Sequence, residues 1–233
     1  MTREEYIKNL LSTYALVSVL SEKNECRVLR LRNRTTGQDL ILRSHPKQLE
    51  AYTLLCTIRC ENLPEVYDAI DVEDGQIVLE EYIDGITVAQ VMETGKYHYQ
   101  GAKMVLSGIC NALTVLHDRN IIHRDVKPEN VIIDKTGSIV LIDFYASRKE
   151  SAASKDTVVM GTIGYASPEQ LGLCQSDART DIYACGVLLN VMLTGKHPTE
   201  AFARWRAGRI VRKCTMINPV NRYQSAKELL DAL

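Results

Sequence analysis

The sequence has no apolar run long enough to cross a bilayer, no CxxC pair, no histidine cluster, no internal repeat and no low-complexity linker. A spanning helix needs about 20 consecutive apolar residues, so no membrane partner is expected. Structural zinc sites need closely spaced Cys and His ligands. Here the seven cysteines are scattered (Cys26, Cys56, Cys60, Cys110, Cys174, Cys185 and Cys214), and only Cys56 and Cys60 have a close spacing, i and i+4, which is expected of one helix face. A basic excess is also missing. The 28 Lys and Arg interleave with 29 Asp and Glu for a net charge of −1, which argues against a nucleic-acid-binding surface. The odd cysteine count and the lack of a leader-like stretch predict a reducing, cytoplasmic location. A length of 233 residues allows one large domain or two small lobes around a substantial core.

The informative stretch is Ile122-His123-Arg124-Asp125-Val126-Lys127-Pro128-Glu129-Asn130, followed at Ile142 by Asp143-Phe144. Between them, Val131–Ile133 and Ile139–Ile142 read as short strands joined by a turn at Lys135-Thr136-Gly137. Such a hairpin brings Asn130 and Asp143 near one point, as two oxygen ligands of the kind Mg²⁺ prefers. Asp125, on the loop before the hairpin, could accept a hydroxyl proton. These are the parts that phosphoryl transfer needs, since positioning and charge neutralisation supply most of its catalysis.

At these residues the chain resembles the eukaryotic-type protein kinases, in the bacterial Ser/Thr branch, as a compact and divergent member or a pseudokinase. The resemblance implies an α+β, two-lobed protein-kinase-like fold, with a small β-sheet N-lobe with one helix and a larger, mainly helical C-lobe. It implies a single domain over 1–233, with the N-lobe at about 1–81, the hinge at about 82–86 and the C-lobe at about 87–233. It also implies ATP and Mg²⁺ as cofactors. Asp125 becomes the catalytic aspartate, Lys127 the γ-phosphate contact and Asn130 with Asp143 the Mg²⁺ ligands. Ile132 becomes the adenine floor, and His123 a structural support of the loop.

Later motifs extend the resemblance. Gly161-Thr162-Ile163-Gly164-Tyr165-Ala166-Ser167-Pro168-Glu169 is similar to a substrate-docking segment, with Thr162 expected to contact Asp125 and Lys127. Asp181 is expected to brace the loop backbone, and Arg222 to pair with Glu169. Residues 146–160 look like an activation segment, in which Arg124 could grip a phosphate on Ser151, Ser154 or Thr157. Few residues separate Pro198 from Arg222, so a docking helix is expected to be shortened or deleted, with Trp205 covering the gap.

The N-terminal third departs from the family. Residues 2–14 read as an amphipathic helix with a Thr2/Glu5 capping box, and Leu16–Leu20, Arg27–Arg32 and Asp39–Arg43 as strands. Aligned on Leu20 and Val28, the three glycine positions of the phosphate-covering loop hold Ser21, Lys23 and Cys26, whose side chains intrude where glycine lets backbone approach a phosphate. Arg43 replaces the strand lysine, and the swap is not conservative. Lys23 or Arg27 are the candidates to substitute for it. Pro46 predicts a helix from 46 to 59, with Glu50 as the glutamate that pairs with Arg43. Glu81 and Ile83 offer hinge backbone to adenine, and Glu80 stands at the gatekeeper position. Tyr145 replaces the glycine of Asp-Phe-Gly.

The expected function is ATP-dependent phosphoryl transfer to Ser/Thr hydroxyls of a protein substrate, weakened by the altered N-lobe. A pseudokinase that binds nucleotide or a protein partner without catalysis is the alternative, and a small-molecule kinase the third.

Overall fold

The computed structural model describes residues 1–23, 25–150, 162, 164–171 and 175–233. The chain divides into two compact units, one of Met1–Cys60 with Pro64–Ile83, the other of Glu61–Leu63 with Asp84–Leu233.

The first unit is built on a five-stranded sheet of order β1-β2-β3-β5-β4, with β1 Tyr14–Lys23, β2 Cys26–Asn33, β3 Asp39–His45, β4 Val66–Val72 and β5 Gly75–Glu81. Every pairing is antiparallel. Alternation along β2 sends Leu29 and Leu31 to the core and Arg30 and Arg32 away from it. Helix α1, Arg3–Leu10, starts with the predicted capping box and puts Ile7 onto Leu29, Leu31, Leu40, Leu42 and Ile77. The helix is shorter than the 2–14 expected: Tyr14 opens β1, although it still packs on the same cluster. Arg30 and Arg32 both hydrogen-bond Asp39 and hold its carboxyl down to about 2.

The helix expected over 46–59 is corrected to α2, Glu50–Leu55. Pro46 ends β3 instead of starting the helix, since residues 46–49 form no helical turn. The reason is a distant partner: the Leu49 N–H is taken by Gln76 Oε1 at 3.2 Å, and Gln76 is buried on β5. Ala51, Tyr52 and Leu55 of α2 are buried, and the Tyr52 ring stacks on His45.

The second unit is mainly helical. Its long helices are α4, Tyr99–His117, and α5, Ala178–Thr194, with α3 Val88–Glu93, α6 Trp205–Cys214 and α7 Ala226–Ala232 around them. The apolar positions predicted for α4, namely Ala102, Val105, Leu106, Ile109, Leu113 and Leu116, are all buried. Gly108 permits close packing of that helix, because a Cβ there would lie 2.5 Å from Ile139. A three-stranded sheet, β6 Gly85–Thr87, β8 Val131–Asp134 and β9 Ile139–Leu141, runs in the order β6-β8-β9. A second pair joins β7 Ile121–Ile122 to β10 Arg148–Lys149. Trp205 covers no gap, contrary to expectation; it is 89% exposed at the start of α6. The sheet-rich and helical units are those of an α+β, kinase-like fold.

Candidate active site

Strand β7 delivers the chain into the loop at His123, and the core of α5 catches it there. Asp181, fully buried near the start of α5, accepts the His123 N–H at Oδ2 (2.9 Å) and the Arg124 N–H at Oδ1 (2.7 Å). Its Oδ2 also meets His117 Nε2 at 2.8 Å. Burial alone would raise the Asp181 carboxyl, but the His117 hydrogen bond and the loop donors outweigh it and leave it below its ordinary value. These bonds fix Arg124 at φ +68°, a left-handed conformation that costs a side-chain-bearing residue about 1–3 kcal/mol. His123 is buried, edge-on to Phe144, with Nε2 3.2 Å from the Ile142 carbonyl oxygen. Burial pushes its imidazole below the usual value. It sits as the structural support anticipated, with no path to solvent.

From this anchor the loop presents a connected polar group. Asp125 Oδ1 accepts the Thr162 hydroxyl at 2.7 Å, and Lys127 Nζ donates to Thr162 Oγ1 at 2.8 Å while lying 2.7 Å from Asp125 Oδ2. Asn130 Nδ2 donates to the Asp125 backbone oxygen and to its Oδ2, both at 2.9 Å. The Asp125 and Lys127 side chains keep 13% and 19% exposure, so the carboxylate is held without being sealed. The contacts of Thr162 fall where the resemblance put them. A short 3₁₀ turn, Pro128–Asn130, carries the chain from Lys127 into β8.

The Ile142 N–H donates to the Asn130 carbonyl at 2.9 Å, which brings the β9 end of the hairpin, and Asp143 after it, beside Asn130. Asp143 has φ +69° and caps its own turn, accepting the Tyr145 N–H at 3.3 Å. Asn130 spends its amide hydrogens on Asp125, and its Oδ1 takes no protein donor among the described residues. A carboxamide and a carboxylate on these adjoining segments are ligands of the kind Mg²⁺ accepts, since it takes one or two protein oxygens and fills its shell with water and phosphate. No group of three or more His, Cys, Asp or Glu among the described residues could hold a metal by protein ligands alone.

The Ser167-Pro168-Glu169 segment is fastened below the loop. Arg222 reaches Glu169 with two bonds, 2.6 and 2.9 Å, and both residues are buried. Burial would raise the Glu169 carboxyl, and the Arg222 hydrogen bonds turn the balance so that it lies low. Gln170 is a positioning residue the motifs did not reveal. Its Nε2 donates to the Arg124 carbonyl at 2.8 Å, and its Oε1 accepts the Ser167 N–H. The only sequence signal was its place directly after Glu169. Ser151, Ser154 and Thr157 lie outside the described residues.

The other expected residues lie in the sheet-rich unit. Arg43 is 6% exposed and Glu80 2%, and Arg43 Nε donates to Glu80 Oε1 at 2.6 Å. The register explains it: Ile41 pairs with Glu80 and Arg43 with Val78, so Arg43 and Glu80 are diagonal neighbours on one face. Glu50 is the exposed first residue of α2. Glu81 closes β5, and its N–H goes to the Glu65 carbonyl at 2.8 Å, while Ile83 is the last residue of the unit. Ser21 pairs with Val28 and Lys23 with Cys26, so the three residues expected at the family's glycine positions are ladder residues of β1 and β2. Of the two candidates to replace the strand lysine, Arg27 is engaged by Glu22 and Glu4, and Lys23 has no carboxylate partner among the described residues. Ile132 lies in the helical unit, half-buried on β8 between Thr87 and Val140.

Comparison with known proteins agrees with this geometry. The model of the protein kinase domain family matches residues 35–231. The serine/threonine-protein kinase PrkC of Bacillus subtilis is 29% identical over 197 residues, covering 72% of this chain and 30% of that protein. The serine/threonine-protein kinase PknB of Mycobacterium leprae is 32% identical over 195 residues, covering 70% and 31%. A probable serine/threonine-protein kinase of Clostridium perfringens is 29% identical over 244 aligned residues, covering 91% and 35%. The chain thus spans about a third of the length of these relatives. The family match takes in the loop, the hairpin and the Glu169–Arg222 brace alike, and on it this chain belongs to the protein kinase domain family.

Proposed function

We propose that this chain transfers the γ-phosphoryl group of ATP to a Ser or Thr hydroxyl of a protein substrate. The observation that carries the reading is the bonded group Asp125–Lys127–Asn130–Thr162, held on a loop that the core positions. In this reading Asp125 takes the acceptor hydroxyl's proton as the new O–P bond forms and the bond to the ADP oxygen breaks. Thr162 and Asn130 hold the carboxylate in one orientation, so little reorganisation is needed when the hydroxyl arrives. Lys127 keeps a cation beside the reacting groups. Asn130 and Asp143 would hold Mg²⁺, which neutralises phosphate charge when bound. The engagement of Thr162 with Asp125 favours a protein acceptor over a small molecule, because Thr162 belongs to the docking segment. We take both units as one kinase domain working in a reducing cytoplasm.

One observation favours a second reading, a module that binds a partner without catalysis. Arg43, in the place of the phosphate-holding lysine, is buried against Glu80, and weak turnover follows even in the first reading. The test is transfer of labelled phosphate from Mg-ATP to a general protein acceptor, run beside Asp125→Asn. Transfer that falls by about 10²–10⁴ in the variant supports the enzyme. Nucleotide-dependent thermal stabilisation without any transfer supports the silent module.

A further inference from the structure

A cavity of about 710 Å³ opens in the helical unit where the end of α5, the 201–204 segment and the first turn of α6 meet the start of α4. Its cationic lining is Lys96, Lys196, Arg204 and Arg206, its aromatic lining includes Phe202 and Trp205, and no acidic residue lines it. None of the four cations has a carboxylate partner among the described residues. Glu200 is next in sequence to the lining but not part of it. In a chain of net charge −1, this is a local concentration of positive charge and not a share of a general excess.

The walls are preformed. Buried Asn190 donates to the carbonyls of Lys196 and Ala201 and accepts the Ala203 N–H, each at 2.8 Å. Arg206 is steered by hydrogen bonds to the Ala232 carbonyl, and the Phe202 ring lies under the Arg212 guanidinium at 4.5 Å. Trp205, the only tryptophan, stands 89% exposed with φ +57°. A bulky residue in that conformation costs about 1–3 kcal/mol and persists where the surroundings hold it, often at ligand-binding positions. Exposed tryptophan among arginines is also the composition of the energetic centres of protein interfaces.

We propose that this cavity docks an acidic peptide segment of a protein partner, carrying one aromatic or aliphatic residue that enters between Phe202 and Trp205. The four unpaired cations ask for carboxylates, and the aromatic walls ask for an apolar anchor. Confinement of the charge to one cavity suits a short segment better than a nucleic acid, whose backbone would need a continuous basic track. The proposal stands apart from phosphotransfer and holds equally for an active and a silent domain.

The single tryptophan makes the test direct, since Trp emission reports on Trp205 alone. A display library of short random peptides is selected on the full chain, and recovered sequences are titrated by Trp fluorescence at low and high salt. The expected result is enrichment of acidic peptides with an apolar anchor, saturable shifts in emission, and binding that weakens about tenfold or more at high salt and in Lys96→Glu/Lys196→Glu. Trp205→Gly, which relieves the left-handed strain and removes the fluorophore, is read instead by anisotropy of dye-labelled peptide and is expected to lose binding while its melting temperature stays level or rises. Basic or charge-indifferent consensus peptides, no enrichment at all, or a Trp shift given only by phosphatidylserine vesicles would each overturn the proposal.

Discussion

Around the Asp125 loop of the helical unit polar side chains hold backbone; on β2, β3 and β5 of the sheet-rich unit charged side chains hold one another. Asp181 takes two loop N–H groups, Gln170 binds the Arg124 carbonyl, and Arg222 donates to the carbonyls of Met216 and Ile217 besides Glu169. Arg43, Arg30 and Arg32 of the sheet instead meet Glu80 and Asp39. Side chains that bind backbone fix a chain path, and a fixed path is what a catalytic loop requires. Side chains that pair across a sheet stabilise strands, and they withdraw charge from any ligand that would use it. The contrast explains how one end of this chain can keep its motifs while the other exchanges glycine and lysine for ladder residues and a buried ion pair.

The contrast breaks most visibly at Arg222. Arg222→Ala leaves Glu169 buried and uncompensated, so urea unfolding should show a loss of about 3–5 kcal/mol. A loss below about 1 kcal/mol would mean the brace is not what holds the docking segment. Next comes the sheet. Glu80→Met alone should be strongly destabilising, whereas Arg43→Met/Glu80→Met should come back to within about 1–2 kcal/mol of the parent, because apolar replacement of a buried pair is often close to neutral. A double variant as unstable as the single one would show that Arg43 serves something beyond this pairing. A third outcome concerns acid. His123 is buried with its imidazole below the ordinary 6.5, so the unfolded chain binds the proton first and stability falls as pH drops below that value. The low-lying Asp181 and Glu169 carboxyls add a further loss below their ordinary 3.8 and 4.5. Thermal melts across pH 5–7 should therefore slope by up to about 1.4 kcal/mol per unit, and His123→Asn should flatten the slope. The smallest effect is at α1: Thr2→Ala removes the cap and should cost about 1 kcal/mol, read as a lower melting temperature.

What the sequence disclosed followed from how local the cause was. The repeat of apolar residues along α4 and the Thr2/Glu5 box are local, and both appear as anticipated. The loop and the hairpin were legible because those residue types stand at spacings that carry a mechanism, and Thr162 on Asp125 and Arg222 on Glu169 were legible only through the family resemblance that the loop carries. The start of α2 was not legible, since Pro46 satisfies every local rule for a first helical residue and the deciding bond comes from Gln76 on another strand. The Arg43–Glu80 pair depended on the β3–β5 register, which a 37-residue separation conceals. Gln170 was missed because one glutamine after a glutamate carries no signal of its own.

The Asp181 anchor has a consequence for how the chain tolerates change. The loop's position is inherited from α5, and α5 is seated by close packing, as at Gly186, where a Cβ would stand 2.3 Å from Cys214. A substitution there moves no group that touches substrate, yet it tilts the aspartate that sets the loop. In a saturation screen scored on activity, the intolerant positions should therefore trace the buried side of α5 as clearly as they mark Asp125, and a map of sensitivity alone would not tell the hand from the arm that holds it.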